Sequence, residues 1–142
     1  MTTSSPFPHH RPRRLRKDDF SRRLVREHHL HADDLIYPVF VLDQDEGTQA
    51  VSSMPGVERL GRSALYAAAE RCLTLGVPVL ALFPVIDAAF KTPDGREAGN
   101  PEGLVPRTVR ELKRRFPELG IMTDVALDPY TSHGQDGLLD ET

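Results

Sequence analysis

Three short apolar runs, each ending in a polar loop, constrain this chain more than any other feature. They are Leu35–Val41, Val77–Phe83 and Ile121–Leu127. Runs of this length suit strands covered on both faces and are short for helices. Between them lie two stretches with apolar residues at helical spacing. The first holds Leu65, Ala68, Ala69, Cys72 and Leu73; Ser63 is placed to cap it, and Gly76 to close it in the left-handed position. The second begins at Asn100-Pro101, a cap followed by proline. Its stripe is Val105, Val109, Leu112 and Phe116, with Arg107, Arg110, Lys113 and Arg114 facing water, and Pro117 and Gly120 close it. Strand, helix, strand, helix, strand is the pattern of an α/β fold with a parallel sheet. Pro38 inside the first run ordinarily marks an edge strand, and Pro84 is read as the end of the second.

The ends differ in charge. Residues 1–31 carry eight Lys/Arg against three Asp/Glu, within a chain of 142 residues whose net charge is −3. A basic arm ahead of an acidic body suits nucleic acid or an acidic neighbouring protein equally. No aromatic platform or recognised module supports nucleic acid. The chain therefore divides into a basic arm, 1–31, and a βα body, 32–142. Met1–His10 has the composition of a disordered tail. A helix is expected from Asp18 or Asp19 to about His29, with Phe20, Leu24 and Val25 on one side. Neighbouring positions on a helix point different ways, so His28 and His29 do not readily share an ion, and the cluster His28-His29-Leu30-His31 reads as a surface helix terminus, not a metal site. No apolar run approaches the roughly 18–20 residues that cross a bilayer, and the N-terminus lacks the apolar core of a secretory signal. A single cysteine, Cys72, on the apolar face of the first helix, fits a reducing cytoplasm.

Chemistry concentrates in Gly120–Gly137, GIMTDVALDPYTSHGQDG. Asp128-Pro129 stops the third strand, and Tyr130, Thr131, Ser132, His133 and Gln135 form a polar loop made flexible by Gly134 and Gly137. Asp124, Asp128 and Asp136 lie at the carboxyl end of that strand, where parallel α/β folds build their sites. Three chemistries stand open: hard oxygen ligands for Mg²⁺, a close carboxylate pair with one raised pKa shuttling a proton, or charge-assisted binding of a substrate amino group. Against them stands a structural role, Asp124 and Asp128 bracing the loop. The long connection Ile86–Asn100 is also of functional length. Lys91 and Arg96 place positive charge there, Lys91 without a burial signal to lower its pKa.

The same stretch, with LIYPVFV at 35–41, SMPGV at 53–57, ALFPV at 81–85 and TPDGREAGNPEGL at 92–104, closely resembles the δ-aminolevulinic acid dehydratase (porphobilinogen synthase) family. The likeness covers nearly everything from Arg11 onward; one departure is Gly99, where an aromatic residue is usual. It implies the N-terminal portion of a (β/α)₈ TIM barrel with an extended arm, its barrel incomplete, because three strands cannot close a barrel of eight. It implies condensation of two δ-aminolevulinate molecules to porphobilinogen, and a homo-oligomer whose arm, including Arg11–Arg16, wraps an adjacent subunit. Zinc-using members place three cysteines where this chain has Ala126, Asp128 and Asp136. Alanine cannot bind and aspartate is hard, so the resemblance is to members without active-site zinc. Mg²⁺, where used, would sit in the full-length protein at a site built largely outside this chain. Tyr130, Thr131, Ser132 and His133 match the family motif as loop-shaping residues, with His133 also able to shuttle protons. The family's two Schiff-base lysines lie on later strands, and Lys17, Lys91 and Lys113 stand in no matching context. The expectation is a fragment inactive by itself. A non-catalytic assembly subunit joining a full-length enzyme, and a small carboxylate metal module, are the alternatives.

Overall fold

The computed structural model describes residues 7–9, 11 and 13–138. The remainder of the Met1–His10 tail and the end from Leu139 onward lie outside the described residues. Contacts divide the chain into two units, Met1–His31 and Ala32–Thr142.

Among its described residues the first unit contains a 3-10 turn at Arg14–Arg16 and one short α-helix, α1 (Asp19–Leu24). It ends well before the expected His29. Its only buried residue is Ser21, and a helix this short has little propensity to continue without packing. Asp18 occupies the cap position, yet no side chain caps the helix; Ser21 Oγ donates to Asp18 O at 2.9 Å. His28–His31 lie past the helix, and the rings of His29 and His31 stack at 6.1 Å. Phe20 and Leu24, one turn apart, are 67% and 83% exposed.

The second unit is a five-stranded sheet with two helices. In chain order it contains β1 (Ile36–Leu42), β2 (Thr48–Ala50), β3 (Glu58–Leu60), α2 (Arg62–Leu75), β4 (Val79–Val85), α3 (Leu104–Arg115) and β5 (Gly120–Thr123). The sheet order is β2-β3-β1-β4-β5. β1, β4 and β5 are parallel neighbours, as the alternation of strands and helices requires, with β3 parallel on the far side of β1 and β2 antiparallel to β3. The sheet does not close. The β2–β3 ribbon has no counterpart in the sequence reading, because its strands are three residues each and show no apolar alternation.

Register separates the two faces. Alternate residues Val39 and Val41 of β1, and Leu80 and Leu82 of β4, are buried in one core with Leu65, Ala69 and Cys72 of α2 and Leu104, Leu112 and Phe116. The opposite face pairs Pro38 with Ala81 and Met122, and Phe40 with Phe83. It is also apolar but open: Phe83 is 36% and Met122 46% exposed. Both prolines sit where pairing is one-sided. β3 joins β1 only from Phe40 onward, and β5 accompanies β4 only as far as Leu82. Pro84 therefore does not end β4, which continues to Val85; a strand edge tolerates a residue that cannot donate.

Helix starts differ from expectation for a related reason. Gly61, not Ser63, is the cap of α2, whose first N–H groups donate to the loop after β1: Arg62 N to Gln44 O at 2.9 Å and Ser63 N to Asp45 O at 3.0 Å. A Cβ on Gly61 would come within 2.9 Å of Gly47 O, so the close approach requires glycine. Ser63 Oγ instead donates to Glu46 Oε2. α3 begins at Leu104 with Gly103 as its cap, after Asn100 has folded an earlier turn by accepting from Glu102 N at 3.0 Å. Three of its expected solvent-facing cations are engaged, Arg110 among them through Glu102 at 2.7 Å. Arg107 pairs with Asp43 at 2.8 Å, and Lys113 donates to Pro117 O and Leu119 O. Gly76 closes α2 in the left-handed region, and burial pushes the Cys72 thiol pKa up.

Leu112 is fully enclosed whereas Val125 is 98% exposed. Leu112→Ala is expected to lower unfolding free energy by about 2–5 kcal/mol and Val125→Ala by less than about 0.5 kcal/mol. Urea denaturation of both variants measures this, and equal effects would contradict the assignment of the core.

Candidate active site

The site grows from the point where pairing of β5 stops. The apolar run through Leu127 reads as one strand, yet the ladder ends at Leu82–Thr123. Asp124, Val125 and Ala126 continue without pairing. Val125, almost wholly exposed, is not the buried strand residue that composition suggests.

Beyond it the chain turns: Tyr130 N donates to Leu127 O at 2.8 Å and Thr131 N to the same oxygen at 3.0 Å. Asp136 then folds back. Its Oδ1 accepts from Leu127 N at 2.9 Å and from Asp128 N at 3.1 Å. The bracing role read for Asp124 and Asp128 therefore belongs to Asp136. A carboxylate accepting two backbone N–H bonds is a strong local tie. Asp124 and Asp128 are exposed, and their carboxylates make no hydrogen bond or ion pair among the described residues.

A second loop holds the first. Thr92 N donates to Tyr130 O and Ser132 N to Thr92 O, each at 3.1 Å, a parallel bridge between the connections after β4 and β5. Thr131, only 2% exposed, lies at its centre and donates from Oγ1 to Gln135 O at 2.9 Å. Opposite it is Gly95, with φ of 60°, where a Cβ would meet Thr131 Cγ2 at 3.3 Å and Leu127 Cδ2 at 3.6 Å. The turn residues Pro93-Asp94-Gly95 are visible in the sequence; their contact with Thr131 is not. Asp94 accepts from Thr92 Oγ1 at 2.6 Å and Arg96 Nε at 3.3 Å. The Thr92 bond above all holds its carboxyl below the usual range. Beside Gly99 a Cβ would meet open space, so the missing aromatic leaves no packing defect in this chain.

Tyr130 is half-buried. Burial first, and the nearby Glu97 charge second, raise its pKa. Ser132 contributes its backbone while its side chain stays exposed. His133 bridges to Pro93 O at 3.0 Å. Lys91 is half-buried beside Phe40, Arg59, Val85 and Pro129, without an ion pair to Asp124 or Asp128; Lys113 is on α3, bonded to carbonyl oxygens.

No group of three or more His, Cys, Asp or Glu side chains among the described residues is placed to hold a metal. Asp136 already uses Oδ1 on the backbone, and Ala126 offers no donor.

The sequence model for delta-aminolevulinic acid dehydratase matches residues 9–142. The chain belongs to the δ-aminolevulinic acid dehydratase family. The Bradyrhizobium diazoefficiens delta-aminolevulinic acid dehydratase is 50% identical over 129 residues, covering 91% of this chain and 36% of that protein. The soybean chloroplastic protein of the same name is 45% identical, covering 94% of this chain and 32% of its own length. The crystal structure of the Toxoplasma gondii enzyme, in complex with its reaction product porphobilinogen, is 41% identical and superposes with a TM-score of 0.84. It matches 93% of this chain and 37% of that one. The chain thus spans about a third of the length of these dehydratases, and its open sheet corresponds to part of their barrel. No helix among the described residues is long and apolar enough to cross a membrane.

Asp136→Ala is expected to speed amide exchange at Leu127 and Asp128 by about tenfold or more, leaving Leu80 unchanged, because each lost charge-assisted bond is worth roughly 1.5–3 kcal/mol. Unchanged exchange would contradict the brace. Tyr130 gives a pH test. Its pKa is raised in the folded chain, so the folded state holds the phenol proton more tightly. Its contribution to stability is complete below about pH 10 and is lost as pH rises further. Urea titrations at about pH 9 and about pH 11 should show a smaller loss in Tyr130→Phe than in the parent chain.

Proposed function

We propose that this chain supplies the arm, the first strands and the aspartate loop of a porphobilinogen synthase, which condenses two δ-aminolevulinate molecules with loss of two waters. The observation that carries this reading is the preformed loop at the carboxyl ends of β4 and β5, with Asp124 and Asp128 unengaged. Two free carboxylates in a braced loop suit the ammonium group of an amino-ketone acid by charge-assisted hydrogen bonds, with Tyr130 and Ser132 shaping the same wall.

The covalent work belongs elsewhere. A Schiff-base lysine needs a lowered pKa to act near neutral pH, which burial or a neighbouring cation supplies. Lys17 lies in the basic arm, Lys91 in a half-exposed loop and Lys113 at the rim of α3. We place the reacting lysines, the carboxylate-binding residues and the donors for Mg²⁺ outside this sequence.

The loop is of the zinc-independent kind. Asp136, where zinc-type members have a cysteine, offers a hard carboxylate already tied to the Leu127 and Asp128 amides. The exposed Phe20 and Leu24, beside the Arg-rich segment, suit an arm that packs on another subunit of a homo-oligomer. A lone, buried cysteine suits the cytoplasm.

The test is complementation. The purified 142-residue chain should form no porphobilinogen from δ-aminolevulinate, and addition of a polypeptide comprising the remaining two thirds of the Bradyrhizobium protein should restore turnover. Turnover by the chain alone, or a co-purifying pair that stays inactive while full-length enzyme is unaffected, would overturn the reading; the latter would favour an assembly subunit.

A further inference from the structure

We infer that His133 is a positioning residue, a neutral imidazole with its proton on Nε2 that struts the aspartate loop against the loop following β4. Two contacts fix this state. Gln135 N lies 3.2 Å from His133 Nδ1. A backbone N–H can only donate, so Nδ1 must present its lone pair. The single ring proton is then on Nε2, which lies 3.0 Å from Pro93 O and donates to it.

The two bonds differ in reach. The Gln135 contact is local and follows from Gly134, whose φ of 73° turns the chain back toward the ring. The Pro93 contact spans forty residues of sequence. Pro93 follows Thr92, whose N–H and C=O form the bridge to Tyr130 and Ser132. The imidazole therefore extends a two-bond bridge into a three-bond seam, which holds the connections after β4 and β5 together as one unit. With both nitrogens engaged, His133 would have to break one of these bonds to carry a proton, so the shuttle role gives way to a strut. Its consequence for chemistry rests on the reading of this loop as part of the substrate pocket; the strut itself rests only on the two contacts.

Two substitutions separate the bonds. His133→Gln keeps an amide N–H near the place of Nε2, while His133→Asn keeps only an acceptor near the place of Nδ1. In the ¹⁵N-labelled chain, long-range ¹⁵N–¹H correlations of His133 should show the Nε2–H form. Amide exchange at Thr92 and Ser132 should match the parent in His133→Gln and be about tenfold faster in His133→Asn, the effect of one lost hydrogen bond. Gln135 should show the reverse order. Exchange at Leu80 and Leu82 reports whether each variant remains folded. An Nδ1–H ring, or equal exchange at Thr92 and Ser132 in two folded variants, would overturn the proposal. These readouts use no substrate, whereas the pocket reading is tested by turnover, so failure of one is distinct from failure of the other.

Discussion

Burial of one face of a parallel sheet under two helices is the constraint on which the rest of this structure depends. Val39, Val41, Leu80 and Leu82 meet Leu65, Leu112 and Phe116 in a single core, and a buried aliphatic side chain of this size is worth about 1.5–3 kcal/mol. Parallel strands need crossover connections, so α2 and α3 both link the strands and cover them. That arrangement sends β1, β4 and β5 in the same direction and gathers the loops after β4 and β5 at one end. The opposite face, with Phe40, Phe83 and Met122, remains apolar and open.

The loops obey a different physics. The aspartate loop has few apolar anchors, Thr131 and the partly buried Ala126, Pro129 and Tyr130 among them. Its shape comes from hydrogen bonds: Asp136 to two backbone amides, Thr92 to Tyr130 and Ser132, and His133 to Pro93. One aspartate builds the loop while the other two keep their carboxylates unengaged. That separation of roles leaves a loop braced by Asp136 with the carboxylates of Asp124 and Asp128 displayed on it.

Much of the fold could be read from residue order. The apolar runs placed β1 and β4, the helical stripes placed α2 and α3, and the strand–helix alternation made the sheet parallel. What escaped has physical causes. The β2–β3 ribbon is too short and too exposed to leave a periodic trace. Pro84 misled because pairing there is one-sided, Ser63 because loop carbonyls take the first N–H groups of α2, and Asn100 because its side chain folds an earlier turn. Val125 looked buried because composition does not reveal where a strand loses its neighbour. For the site, the residue types at Asp124, Asp128, Asp136 and His133 were legible, whereas the division of labour among them was not. Nothing in a one-dimensional pattern tells which carboxylate will find two amides, or that Gly95 lies against Thr131.

The central claim is that this chain frames a pocket without carrying the amine that reacts in it. Incubation with δ-aminolevulinate, reduction with borohydride and peptide mass spectrometry test it most directly. The account predicts no reduced adduct on Lys17, Lys91 or Lys113 above the level given by a denatured control. A specific adduct on any of the three, lost on unfolding, would contradict it.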